Sequence, residues 1–182
     1  MFVENIIIGA GPSSLQLAYY FQKHNIPYII FEKESQSGSF FAKYPHTKQL
    51  ISINKKHTGK PNKPEFNDFN LRHDWNSLLN DDNFLFNQFS EQLYPHAQDL
   101  HNYLNAFSKK YNLNIQYNSI VSNIVKVDTL YCLNINNNTT YMCNKLIIAT
   151  GMSKPNYPNI LINGIKMSKQ NNANNTVCHY SD

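Results

Sequence analysis

Gly9-Ala10-Gly11-Pro12-Ser13-Ser14 follows the apolar run Ile6-Ile7-Ile8, and Glu32 ends the next apolar run, which starts at Tyr28. Those residue types at that spacing suit one task. Gly9 allows a tight turn after a strand, and Gly11 lets a ligand approach bare backbone. Ser14 stands where a third small residue is needed for a helix to pack on the strand. A helix opening at Pro12 would aim free N–H groups and a partial positive charge at a phosphate. Glu32 follows Gly9 by roughly twenty residues, the distance of a carboxylate that takes ribose hydroxyls. The pattern predicts a dinucleotide-binding strand–helix–strand unit. An ordinary strand–turn–helix without a ligand is the alternative, and the glycines alone do not separate NAD from FAD.

The elements that must position these residues can be read from periodicity. Leu15, Ala18 and Phe21 recur at helical spacing, and the helix should stop near His24 and Asn25, ahead of Pro27. Residues 33–95 read as loops and short helices, with a short strand at 50–53. A stretch that irregular is expected to be functional, covering a cofactor and facing a substrate. Leu100, Tyr103, Leu104 and Phe107 predict an amphipathic helix over 97–111. Short strands are expected at 115–117, 120–127, 130–135 and 139–142, with turns at Asp128-Thr129 and at 136–138. Residues 146–149 read as another buried strand, ending at Thr150-Gly151. The expected fold is α/β: a parallel sheet with flanking helices and a small antiparallel β-meander. One domain is expected over 1–165, with a poorly ordered tail over 166–182.

Composition narrows the class. The 182 residues are 41% hydrophobic, 13% aromatic and 15% charged, as in a globular protein with a real core. A net charge of +4 is too mild for a nucleic-acid footprint. Lys55, Lys56, Lys60 and Lys63 read as a solvated loop, because no aromatics interleave them. Cys132, Cys143 and Cys178 show neither CxxC nor metal-ligand spacing, so no metal site and no dithiol relay are expected. Asparagine is over-represented, and its runs favour turns. No apolar stretch is long enough to span a membrane, and no signal peptide is read at the start, so a cytoplasmic protein is expected.

Longer segments carry a family resemblance. The glycine motif with Phe31-Glu32-Lys33, and the strand ending Ala149-Thr150-Gly151, resemble the two FAD-associated motifs of flavin monooxygenases. Gly38-Ser39-Phe40-Phe41 through Tyr44-Pro45 is similar to the segment after the ribose-binding acid there. Residues 50–59 and 70–79 closely resemble the FAD-dependent oxidoreductase domain-containing protein 2 family, and the likeness runs from about residue 3 to about residue 158. The resemblance implies a Rossmann-like FAD-binding domain. In it Gly9, Gly11, Pro12, Ser13 and Ser14 would hold the pyrophosphate, and Glu32, with Lys33 beside it, the adenosine ribose. Val121 would meet the adenine through its backbone, and Phe40, Thr150 and Gly151 would lie along the cofactor. Asn54 falls where flavin monooxygenases carry an asparagine near the flavin's reactive edge; a loop cap is its alternative role. His73, Asp74 and Trp75 suit a pair that holds a loop better than acid–base work.

The resemblance also implies NADPH-driven flavin chemistry, with oxygen activation or substrate oxidation. No second G-x-G-x-x-G follows Gly151, where only Gly164 remains, so NADPH is expected only with a second domain or chain. Three readings stay open: a truncated relative of such an enzyme completed by a second chain, a nucleotide-binding module without turnover, and an unliganded scaffold that meets a protein partner through residues 40–95.

Overall fold

The computed structural model describes residues 1–43, 47–57, 65 and 74–151. Strand β1 (Asn5–Ile8) is buried along its whole length, as its β-branched run requires. It pairs in parallel with β2 (Tyr28–Phe31) on one side and with β7 (Lys145–Ile148) on the other. Strand β3 (Ile115–Gln116) extends β2, giving the order β3-β2-β1-β7. Parallel neighbours need a crossover, and α1 (Pro12–Lys23) supplies it. The helix ends where Asn25 takes a φ of 55° and the Ile26 N–H closes on the Phe21 carbonyl.

Side chains alternate across the parallel sheet, so its two faces build two cores. Ile7 and Ile30 face α1 and α3 (Ala97–Lys110), meeting Leu15, Ala18, Tyr103, Leu104 and Phe107. Ile6, Ile8 and Phe31 face the meander β4 (Val121–Val127), β5 (Leu130–Ile135) and β6 (Thr139–Cys143), meeting Leu133, Ile135 and Tyr141. The molecule therefore stacks helices, a parallel sheet and an antiparallel sheet. Helix α3 starts with a reciprocal cap, in which His96 and Asp99 satisfy each other's backbone N–H groups. No helix among the described residues is long and apolar enough to cross a membrane.

Two expectations are corrected. Residues 50–53 form no strand: only an isolated bridge, Gln49 to His96, joins this segment to its neighbour, and Ile51 is 95% exposed. An apolar run needs a partner ladder to become a strand, and residues 91–96 touch it too irregularly to supply one. Strand β7 is not buried: Ile148 is 66% exposed, because β1 covers one edge and no described strand covers the other. Between 33 and 95, the described residues form the expected loops and short helices: α2 (Ser39–Lys43) and 3₁₀ turns at Lys55–His57 and Phe86–Gln88. Tyr44, Pro45, residues 58–63, residues 70–73, Gly164, Cys178 and the expected tail over 166–182 lie outside the described residues.

Candidate functional site

The C-terminal ends of β1, β2 and β7 open into a cavity of about 720 Å³, bounded by the start of α1, the segment 33–43 and the first residues of β4. Crevices at strand C-termini are where open parallel sheets bind ligands. Gly9, Gly11, Pro12, Ser13, Ser14, Glu32, Lys33, Phe40, Val121, Thr150 and Gly151 all line it. Residues from five separate parts of the chain thus reach one wall. Gly38, Phe41, Lys43, Ser119 and Ala149 also line it, and the sequence reading had not singled them out for the site. Of these, Gly38 carried a signal, because an isolated glycine after a strand often marks a left-handed position, and its φ is 66°.

The two glycines of the turn have different reasons to be glycine. Gly9 has a φ of 96°, and a Cβ there would lie 2.8 Å from the Ala149 carbonyl oxygen. It is required by the fold, where β1 and the end of β7 press together. Gly11 is the residue before α1, with φ −82° and ψ 179°, a conformation open to any residue. A Cβ on Gly11 would meet nothing within 4 Å. The protein itself does not need a glycine there, while a ligand lying against the backbone would.

The start of α1 suits an anion, while carboxylates lie at the end of β2. No side chain caps the start of α1, so its first N–H groups are uncapped. The Ser14 hydroxyl is buried and has no hydrogen-bond partner. Glu32 is 5% exposed, and its carboxylate accepts the Ala10 N–H at 2.6 Å and the Glu34 N–H at 3.0 Å. Its first task is to tie the glycine turn to the end of β2, and each oxygen keeps lone-pair capacity. At the rim, Lys43 donates to Glu34 at 2.9 Å and holds that carboxyl below its ordinary range, with a smaller contribution from Lys33.

Other residues go elsewhere. Asn54 does not line the cavity. It is 6% exposed, its side-chain amide donates to the Ser90 carbonyl at 2.7 Å, and its N–H donates to Leu93 at 2.8 Å. That geometry is a loop cap. Asp74 accepts the Asn76 and Ser77 N–H groups at 3.0 Å and organises its own turn, while Trp75 is 84% exposed. Lys56 pairs with Glu91 across the same loops. Cys132 pairs with Met142 while Tyr131 pairs with Cys143, so the two thiols face opposite sides of the meander, and both are free.

The chain has clear relatives. FAD-dependent oxidoreductase domain-containing protein 2 of Mus musculus is 40% identical over 157 residues, which is 82% of this chain and 23% of that protein. The same protein of Danio rerio is 42% identical, over 84% of this chain and 22% of its own length. The chain thus spans less than a quarter of these relatives. Among solved structures, a bacillithiol disulfide reductase from Staphylococcus aureus superposes with a TM-score of 0.63 at 22% identity, over 83% of this chain and 39% of its own. The family model described as pyridine nucleotide-disulphide oxidoreductase matches residues 6–182, and the chain belongs to that family.

Proposed function

We propose that the chain is the FAD-binding part of an oxidoreductase. The observation that supports this best is Gly11: a glycine that neither backbone strain nor crowding demands, set in a cavity beside an unpartnered Ser14 hydroxyl. The residues fit the cofactor. Gly11, Ser13 and Ser14 at the uncapped helix start would take the pyrophosphate, and Glu32 the adenosine ribose. Val121 would border the adenine, and Phe40, Thr150 and Gly151 the flavin side. Bound FAD would supply two-electron redox chemistry, while these side chains bind it, orient it and keep water from one face. The 40–42% identity to proteins named as FAD-dependent supports the same cofactor.

Reduction by NADPH and oxidation of a substrate, monooxygenase-like, extend this proposal. They need a nicotinamide site from a second domain or a second chain. Binding without turnover is the second reading. Asn54 favours it, because the amide expected near the flavin's reactive edge is tied to the Ser90 carbonyl instead.

The deciding measurement is the visible spectrum of the purified chain after incubation with FAD and desalting. Retained flavin bands that Gly11→Val abolishes are expected. A colourless wild type, or a Gly11→Val protein as yellow as wild type, would overturn the cofactor assignment. NADPH-dependent bleaching would separate turnover from binding alone.

A further inference from the structure

Ala10, between the two glycines, is held by both of its backbone groups. Its N–H donates to the Glu32 carboxylate at 2.6 Å, and its carbonyl accepts the Gly38 N–H at 2.9 Å. The second arm leads through Gly38, on the cavity wall, to α3. Gly38 lies flat on α3, where a Cβ would fall 2.6 Å from Leu104 Cδ1. The preceding Ser37 is fully buried, and Asn105 of α3 grips its backbone from both sides. The Ser37 N–H donates to Asn105 Oδ1 at 3.1 Å, and Asn105 Nδ2 donates to the Ser37 carbonyl at 2.9 Å. Nδ2 also donates to the His101 carbonyl at 2.8 Å, which anchors the side chain to its own helix. Tyr117 meets the Ser37 hydroxyl at 2.8 Å.

We infer that Asn105, which does not line the cavity, is a positioning residue for the dinucleotide turn, acting through Ser37 and Gly38 on the Ala10 carbonyl. The physical link is the planar peptide. The Ala10 carbonyl and the Gly11 N–H belong to one trans unit and point in opposite directions, so a bond that fixes the carbonyl fixes the N–H. Gly11 is the residue on which the proposed FAD site depends, and this inference rests on that reading. A pre-set donor spares the ligand the cost of ordering it, so loss of the strut should weaken binding without removing any ligand contact.

The test compares two asparagines in the full chain. Asn105→Ala removes the grip on Ser37. Asn114→Ala removes a similar side-chain bond to backbone, 2.7 Å to the Tyr28 carbonyl, at the opposite end of β2. Both variants are expected to lose stability, Asn105→Ala more, because it gives up three hydrogen bonds and Asn114→Ala one. Only Asn105→Ala should weaken FAD, by about tenfold in Kd, and speed amide exchange at Gly38 by a similar factor. Equal FAD affinity in Asn105→Ala and wild type would overturn the inference, and so would equal losses in both variants. If wild type binds no FAD, the proposed function fails, and the strut is judged on exchange alone: unchanged Gly38 and Ala10 amides in Asn105→Ala would overturn it.

Discussion

Two buried side-chain oxygens among the described residues lack a hydrogen-bond partner, Ser14 Oγ and Asn54 Oδ1, and they sit in unlike places. Ser14 belongs to the first turn of α1 and lines the cavity at the ends of the parallel strands. Asn54 belongs to a loop, lines no part of that cavity, and directs its amide to Ser90. An unmade hydrogen bond is costly in either place. Ser14 is a wall residue of the cavity although its own oxygen is covered, and beside Asn54 the neighbouring loop already takes the other half of the amide. The difference teaches that polar atoms become a site when strand ends bring them to an opening. A resemblance in residue type is not enough.

Several substitutions would break or sharpen that contrast. The largest effect is expected for Gly9→Ala, which puts a Cβ against the Ala149 carbonyl at a left-handed φ. A loss of about 3 kcal/mol should appear in the urea midpoint. Gly11→Val should cost no more than about 1 kcal/mol, the loss of a favoured N-cap residue, while FAD affinity falls at least about a hundredfold. A matched fall in stability would mean that Gly11 serves the fold, and the contrast between the two glycines would be lost.

The two orphaned oxygens give smaller and opposite effects. Ser14→Ala deletes an unsatisfied hydroxyl, so the ligand-free protein should hold its stability or gain up to about 1 kcal/mol, while FAD affinity falls about fivefold. Asn54→Ala should lose about 1 kcal/mol of stability through the Ser90 bond and leave FAD affinity unchanged. Calorimetric melting with and without FAD reads both. A drop in affinity for Asn54→Ala would return that residue to the site.

The smallest effect concerns the rim. The hydrogen bond from Lys43 lowers the Glu34 pKa. A depressed carboxyl pKa contributes stability above the unfolded-state value, and the contribution is lost as pH falls through the folded-state value. The tie should therefore outlast mild acid. Lys43→Met should raise the Glu34 midpoint in a carboxyl NMR titration toward the ordinary value. An unmoved midpoint would mean that solvent already screens the pair.

Periodicity and turn chemistry reached a large share of this molecule from sequence alone. The strand–helix–strand unit, helix α3 and the three-stranded meander all appear close to where alternation, helical spacing and turn residues put them. Those signals are local, so one segment reports them. The eleven residues expected around a dinucleotide line one cavity; the glycine turn and the acid after β2 were chosen by their fixed spacing, and the remaining positions by a family resemblance.

What lay between and beneath them was decided by tertiary structure. An apolar run at 50–53 looks like a strand until it is seen to lack a ladder partner among the described residues, and a run at 146–149 looks buried until Ile148 is found 66% exposed, with no described strand on its far edge. Pairing depends on distant segments. The dual use of Glu32 and the grip of Asn105 on Ser37 join residues 22 and 68 positions apart, a relation no spacing rule records. The sequence by itself determined which residues could turn tightly, form a helix or meet a phosphate, since those properties belong to single residues and their neighbours. Only the folded chain determined which buried polar atoms stay unpaired, because that depends on what packs against them.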